Sequence, residues 1–424
     1  MATTASERRA MVRYVLIIET RTTSIPRKGR AMTIFEPPTL DPHDRAVIAE
    51  ITAMREALAL DLRAPRRWIG GLRRTSQARA VQASNSIEGY TVDHADALAA
   101  VDDEPPLNAD EATWQEILGY RRVMTYIVNA ATYDADPVDE SMLRAMHFML
   151  LEHDLSKSPG RYRTGPVYVS GTEGVVYTAP DASDVPELMD ELVAQVQRTA
   201  EDSLISAAMA HLNLVMIHPF RDGNGRMARA LQTLVLGRDG VLEPAFSSIE
   251  EWLGRNTSDY YTALAATGAG AWHPERSAIL WVRFNLRAHH MQAQTITRRF
   301  AEASKQWAVI DELVATHRLD ERTADSIFDA WLGQRITRPA YIHRTGLDER
   351  TASRDLAKLV DEGVLASHGQ TRGRYYDAGP AVLDARDAVR RSRDPLIDPY
   401  PQLRGIIAQT ATEVTHQSQR SLFG

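Results

Sequence analysis

Apolar residues recur three and four positions apart over most of the first 310 residues of the chain. Between residues 44 and 62, Val47, Ile48, Ile51, Met54 and Leu58 fall on one helical face. The same spacing predicts helices over residues 76–87, 109–132 and 139–153. Gly89 suits the left-handed cap that ends the first of these, and DDEPPLN at 102–108 is a breaker. The period then changes: VYVS and VVYT, either side of Gly171 to Gly174, alternate and read as a short hairpin. Helical spacing resumes over 185–199, 203–217, 226–236, 247–267 and 275–309, so this region is mainly α with one β interruption.

The end of the chain has another rhythm. Short helices over 322–332, 338–345 and 348–362 precede VLASHGQTRGRYYD, which reads as two strands joined by a Gly- and Arg-bearing loop. Helix, turn, helix and then hairpin is the order of a winged helix-turn-helix. The expected organisation is an extension over 1–40 without fixed structure, an N-terminal helical region over 41–105, a helical core over 106–310, a winged-helix domain over 311–380 and a tail over 381–424. No internal repeat or low-complexity segment interrupts it.

Composition narrows the chemistry. A chain of 424 residues, 44% hydrophobic and 25% charged, can bury a large core in two or three domains. A net charge of −7 argues neither for a nucleic-acid coat nor for an acidic tail, so any basic surface must be local. With no cysteine, disulfides, thiolate catalysis and cysteine-bearing zinc sites are excluded, and a cytoplasmic location is expected. No apolar run reaches the length of a membrane span, and no membrane partner is expected. The first 31 residues carry seven Arg or Lys against two Glu, a composition shared with organellar targeting segments, but they are read as a loosely ordered extension. His289 and His290 are read as helix-surface residues.

The densest polar knot is MIHPFRDGNGRMARAL, residues 216–231, at the junction of two apolar-periodic helices. Gly223 and Gly225 let the backbone turn with positive φ, so that successive N–H groups around Asn224 form an anion nest. The next helix begins there and adds its positive dipole end. Arg226 and Arg229, three apart, can neutralise phosphate oxygens. Asp222 offers a hard oxygen ligand suited to Mg²⁺, and His218 can take a proton near neutral pH. A helix-capping histidine, an Asx turn and solvated arginines would account for each residue singly, though not for their coincidence. HPFRDGNGRMAR, residues 218–229, matches H-x-F-x-(D/E)-G-N-G-R-x-x-R at all eight fixed positions, and on these residues the chain resembles the Fic family of protein adenylyltransferases. PGRYR at 159–163, the hairpin ending in Tyr177 and Pro180, and DYYTAL at 259–264 extend the resemblance over about residues 40–300.

The resemblance implies a Fic helical core with a β-hairpin flap and transfer of AMP from ATP to a Ser, Thr or Tyr hydroxyl of a target protein, itself included, with release of pyrophosphate. His218 is then the general base, Phe220 the loop anchor and Asp222 the Mg²⁺ ligand. Gly223, Asn224 and Gly225 form the anion hole, Arg226 and Arg229 hold the outer phosphates, and Tyr261 lies by the adenine. The flap, with Val167, Val169, Val175 and Tyr177, would receive a target segment as an added strand.

Upstream, SNSIEGY sets Ser84 and Glu88 four apart, with Gly89 ending the helix. A carboxylate in a last helical turn opposes the dipole and calls for a cation. In the family this is the (S/T)-x-x-x-E-(G/N) inhibitory motif in its N-terminal, class II placement. The resemblance implies that Glu88 pairs with Arg229 and withdraws it from the γ-phosphate; class II relatives often form homodimers. Residues 335–376 hold eight basic and five acidic residues, and Arg354, Arg372 and Arg374 are the candidate DNA contacts. Protein docking is the rival use of that domain. For the whole chain the alternatives are a DNA-binding regulator that senses nucleotide through the Fic site and a Fic protein that removes AMP.

Overall fold

The computed structural model describes residues 15–17, 34–133, 137–171, 174–198, 202–370, 373–390 and 395–423. The first long helix, α1 (Pro42–Arg63), begins with a reciprocal cap: Asp41 accepts from the Asp44 backbone, and Asp44 accepts from that of Asp41. It is followed by α2 (Ile69–Ile87), α3 (His94–Val101), α4 (Glu111–Tyr133) and α5 (Glu140–Leu151). A short strand near the start, β1 (Val15–Ile17), pairs antiparallel with β2 (Tyr168–Gly171), which forms a hairpin with β3 (Gly174–Thr178). Next come α6 (Val185–Val196), α7 (Ser203–Ile217), α8 (Asn224–Gly237), α9 (Pro244–Ser247), α10 (Glu250–Arg255), α11 (Thr257–Gly268) and α12 (Ile279–Thr316).

Helices α7 and α8 run through the middle of this body. An Asp202 cap starts α7, whose residues are buried on nearly every side, as a helix apolar all round must be. On one flank α4, α5 and α6 pack Ile117, Tyr120, Leu143, Leu150 and Leu188 against Leu214, Phe220 and Leu231. On the other, α1, α11 and α12 pack Ile51, Tyr260, Trp281 and Phe284 against Leu212 and Met216.

Elsewhere the structure departs from the sequence reading. Residues 247–267 are not one helix, because Ser248 is extended (ψ 139°) and Asn256 leaves the helical region (φ −122°, ψ 34°). Helix α2 begins seven residues earlier than its periodicity suggests, at Ile69. Its Gly70 and Gly71 lower helix propensity, and tertiary burial of Ile69 and Leu72 overrides that. Ile34 and Phe35, inside the expected extension, are buried core residues, and the Phe35 backbone donates to Asn213 Oδ1. His289 and His290, expected on a helix surface, are 4% exposed; His289 meets Gln232, and His290 meets Glu50 at 2.8 Å.

The C-terminal unit contains α13 (Ala324–Trp331), β4 (Ile336–Thr337), α14 (Arg338–Thr345), α15 (Glu349–Asp361), β5 (Leu365–His368), β6 (Tyr375–Ala378) and α16 (Pro380–Arg390). Its antiparallel sheet has the order β4-β6-β5, with Ile336 opposite Tyr376 and Leu365 opposite Ala378. The last helix, α17 (Leu403–Phe423), lies within the expected tail; Leu403 and Ile407 join the core formed by α11 and α12.

Candidate active site

The turn between α7 and α8 is held from three sides. Asn224 closes it from within, its Oδ1 accepting from Phe220 N and its Nδ2 donating to Phe220 O, both at 2.9 Å. Phe220 is fully buried and stacks on His147 of α5 with ring centroids 3.7 Å apart. His147 Nδ1 accepts from Gly160 N at 2.8 Å, which places the ring proton on Nε2, the atom 3.0 Å from the Asp222 carbonyl. Gly223 takes φ 77°, and a side chain there would also press on Leu150 and Leu151. No sequence signal distinguished His147, which reads as one more residue on the α5 core face.

His218 caps α7 in a left-handed conformation (φ 52°), unusual for a residue with a β-carbon. Arg163 fixes this geometry: its Nε donates to His218 O at 2.8 Å and its Nη2 to Pro180 O at 2.6 Å, while its backbone N donates to Pro219 O. The histidine side chain is 9% exposed. Its Nδ1 lies 3.2 Å from Val215 O, so the proton belongs there and the Nε2 lone pair is left to accept. Burial, aided by the Arg163 charge, pushes the imidazole pKa down to about 4, so the ring is neutral at physiological pH.

Beyond the turn lies a chain of alternating charges. Arg226, 1% exposed, donates to Glu116 Oε2 of α4 at 2.5 Å and lies over the Tyr90 ring. Lys157 Nζ bridges Glu116 Oε1 at 2.6 Å and Asp222 Oδ2 at 2.9 Å. Burial opposes the ionisation of Asp222, but the Arg226 and Lys157 charges outweigh it and hold the carboxyl below its ordinary value. No cluster of three metal-ligating side chains exists among the described residues. Mg²⁺ is commonly held by one or two carboxylates together with substrate phosphates and waters, so the ionised Asp222 fits that ion. Glu116 and Lys157 were not anticipated; Glu116 showed only as an acid among the apolar positions Trp114, Ile117 and Tyr120.

The Ser84–Gly89 segment meets this site directly. Helix α2 ends at Ile87; Glu88 is its C-cap and Gly89 turns with φ 90°. Arg229, 1% exposed, donates through Nε to Ser84 Oγ at 2.8 Å and through Nη2 to Glu88 Oε1 at 2.8 Å. Burial disfavours the guanidinium charge, but Glu88 together with the Tyr260 and Tyr120 hydroxyls more than offsets this and holds the group protonated. A β-carbon at Gly225 would collide with the Glu88 carboxylate, which therefore sits over the first turn of α8, where a helix end favours an anion. Tyr261 Oη donates to Ile87 O at 3.2 Å and so reaches the end of α2.

In the hairpin, Val167 and Tyr177 are buried, and Tyr177 Oη donates to Met216 O at 2.8 Å. These two side chains hold the hairpin to the body and are not offered outward. Val169 is half-buried, Val176 is exposed, and the Val175 side chain lies outside the described residues. Arg354 on α15 and Arg374 before β6 are exposed, and Arg372 lies outside the described residues.

Residues 137–236 match the Fic/DOC family, and the chain carries a Fic domain. It is 31% identical over 179 residues to the protein adenylyltransferase Fic of Culex quinquefasciatus, a match covering 40% of this chain and 34% of that protein. With its namesake from Nematostella vectensis it shares 29% identity over 161 residues, covering 37% and 36%. The chain thus matches about a third of the length of these curated relatives. A Fic family protein from Desulfovibrio desulfuricans G20 has the same fold: 27% identity and a TM-score of 0.51, covering 82% of this chain and 99% of that one.

Proposed function

We propose that the chain transfers AMP from ATP to a Ser, Thr or Tyr hydroxyl of a protein and that Glu88 restrains the transfer. The carrying observation is the neutral His218, whose Nδ1 is engaged by Val215 O so that the Nε2 lone pair is left to accept, on the turn that leads into α8. In this reading Nε2 takes the hydroxyl proton, the hydroxyl oxygen forms a bond to the α-phosphorus, and the bond from that phosphorus to the bridging oxygen of pyrophosphate breaks. Such a reaction asks mainly for positioning and charge stabilisation, which the α8 amides, Arg226 and Arg229 supply. Asp222 would hold Mg²⁺, which when bound neutralises phosphate oxygens. Arg229 cannot serve a phosphate and Glu88 at once, and the Glu88 carboxylate takes the anion's place over α8. Incubation with labelled ATP and Mg²⁺ tests the reading: Glu88→Gly exceeds wild type and His218→Ala falls to background. Equal labelling in all three proteins refutes it.

The C-terminal unit is read as a winged helix, which the order of its helices and strands supports. Its exposed Arg354 and Arg374 favour an acidic partner, DNA being the first to test by gel shift at several salt concentrations. The absence of cysteine is consistent with a cytoplasmic location.

A further inference from the structure

Helix α2 is gripped at both ends by different parts of the molecule. Its far end delivers Ser84 and Glu88 to Arg229. Its near end lies in the C-terminal unit: Trp68, Ile69 and Leu72 share one buried apolar cluster with Ile327, Phe328 and Trp331 of α13. Polar contacts reinforce the junction. Asp329, 3% exposed, accepts from Arg74 of α2 at 3.0 Å and also from Arg344 at the end of α14. Gln334, equally buried, donates to Thr75 Oγ1 at 3.1 Å.

The segment after the motif is held by the same loop. Arg335 lies 3.7 Å from Asp96 of α3, and Thr337 donates to Glu104 at 3.3 Å. Residues 334–337 thus touch the chain both before and after the 84–89 motif, and Asp329 ties that bracket to α14.

We propose that the C-terminal unit is the clamp that keeps Glu88 on Arg229, with Asp329 and Gln334 as positioning residues that act through α2. This rests on the autoinhibition reading above. A helix is stiff over the four turns from Arg74 to Glu88, so a shift at the near end is carried to the carboxylate. Because one carboxylate holds both Arg74 and Arg344, a disturbance of α14 reaches α2 through a single side chain.

Two adjacent glycines provide the test. A β-carbon at Gly71 would lie 3.3 Å from Asp329, Leu332 and Phe328, whereas one at Gly70 meets nothing within 4 Å. Gly71→Val wedges the clamp; Gly70→Val carries the same helix-propensity cost without the wedge. With Glu88 present, Gly71→Val should raise AMP incorporation about threefold or more, and Gly70→Val should not. In a Glu88→Gly background neither should add anything, an outcome that a merely structural defect would not give. Arg74→Met serves as the second variant should Gly71→Val fail to fold. Amide hydrogen exchange over residues 84–90 in the nucleotide-free full chain gives a readout independent of catalysis: it should quicken in Gly71→Val and Arg74→Met and stay unchanged in Gly70→Val. Unchanged exchange in both folded clamp variants overturns the inference. No labelling by Glu88→Gly, with exchange altered as expected, overturns the proposed activity and leaves the clamp standing.

Discussion

The Arg229 guanidinium donates to the Glu88 carboxylate at 2.8 Å across 141 residues of sequence, joining the end of α2 to the first turns of α8. The arginine is almost wholly buried while the glutamate side chain is 29% exposed, so the pair opens by moving the acid, not the base. Removing that acid leaves Arg229 available to an anionic ligand. Glu88→Gly is expected to raise AMP incorporation about tenfold or more, equivalent to ~1.4 kcal/mol in the barrier. Arg229→Ala should lose the activity even in that background. Counting label per protein molecule under identical ATP and Mg²⁺ checks both.

On the proposed role of His218 as the base, its neutral state sets the acid limb of the pH profile. Only the neutral ring can accept a proton, and burial lowers its pKa to about 4. For the Glu88→Gly enzyme, kcat/KM should therefore stay level from pH 7 down to 5 and fall only as pH approaches 4. A limb centred near 6.5 would show that the ring titrates as if in water.

Arg163 acts on His218 from behind. Its guanidinium satisfies the buried carbonyls of His218 and Pro180, so Arg163→Met leaves both without this donor. Each unsatisfied buried carbonyl costs ~1–3 kcal/mol. The variant is expected to lose ~3 kcal/mol in denaturant unfolding and to lower kcat more than the KM for ATP. Arg163→Lys should recover only part of either, since a lysine lacks the planar fork.

Lys157 is the resident counter-cation of Asp222, and on the proposed role of Asp222 as a metal ligand a divalent ion must displace it. Lys157→Met should tighten Mn²⁺ binding in the absence of nucleotide by about tenfold, as expected when ~1.4 kcal/mol of competing attraction is removed. Asp222→Asn should abolish the gain. Electron paramagnetic resonance of free Mn²⁺ reads both without any turnover.

Helical periodicity alone located α1, α4, α5, α7 and α8 to within a few residues, because each buries a continuous apolar face. It failed where packing overrides local preference: at the glycine-rich start of α2, and where Asn256 separates α10 from α11. Local sequence also named the turn residues from His218 to Arg229, since spacing on one short segment restricts what its side chains can reach, whereas for Glu88 it called only for some cation and the resemblance to the Fic family pointed to Arg229. Glu116, Lys157 and His147 come from separate segments, and nothing local marks them as neighbours of the turn, while Arg163 stood out only as part of PGRYR with no sign that it would reach the His218 carbonyl.

The sequence by itself determined a mainly helical chain, a polar turn shaped for an anion, and a carboxylate at a helix end in need of a cation. Only the tertiary structure decided that Lys157 and Arg226 share Glu116, that Arg163 holds His218 in its left-handed conformation, and that the C-terminal unit brackets the 84–89 segment. The physical reason is range. Backbone propensity and apolar spacing act over a few residues, whereas an ion pair or a buried hydrogen bond depends on which distant segments the packed core brings within about 3 Å.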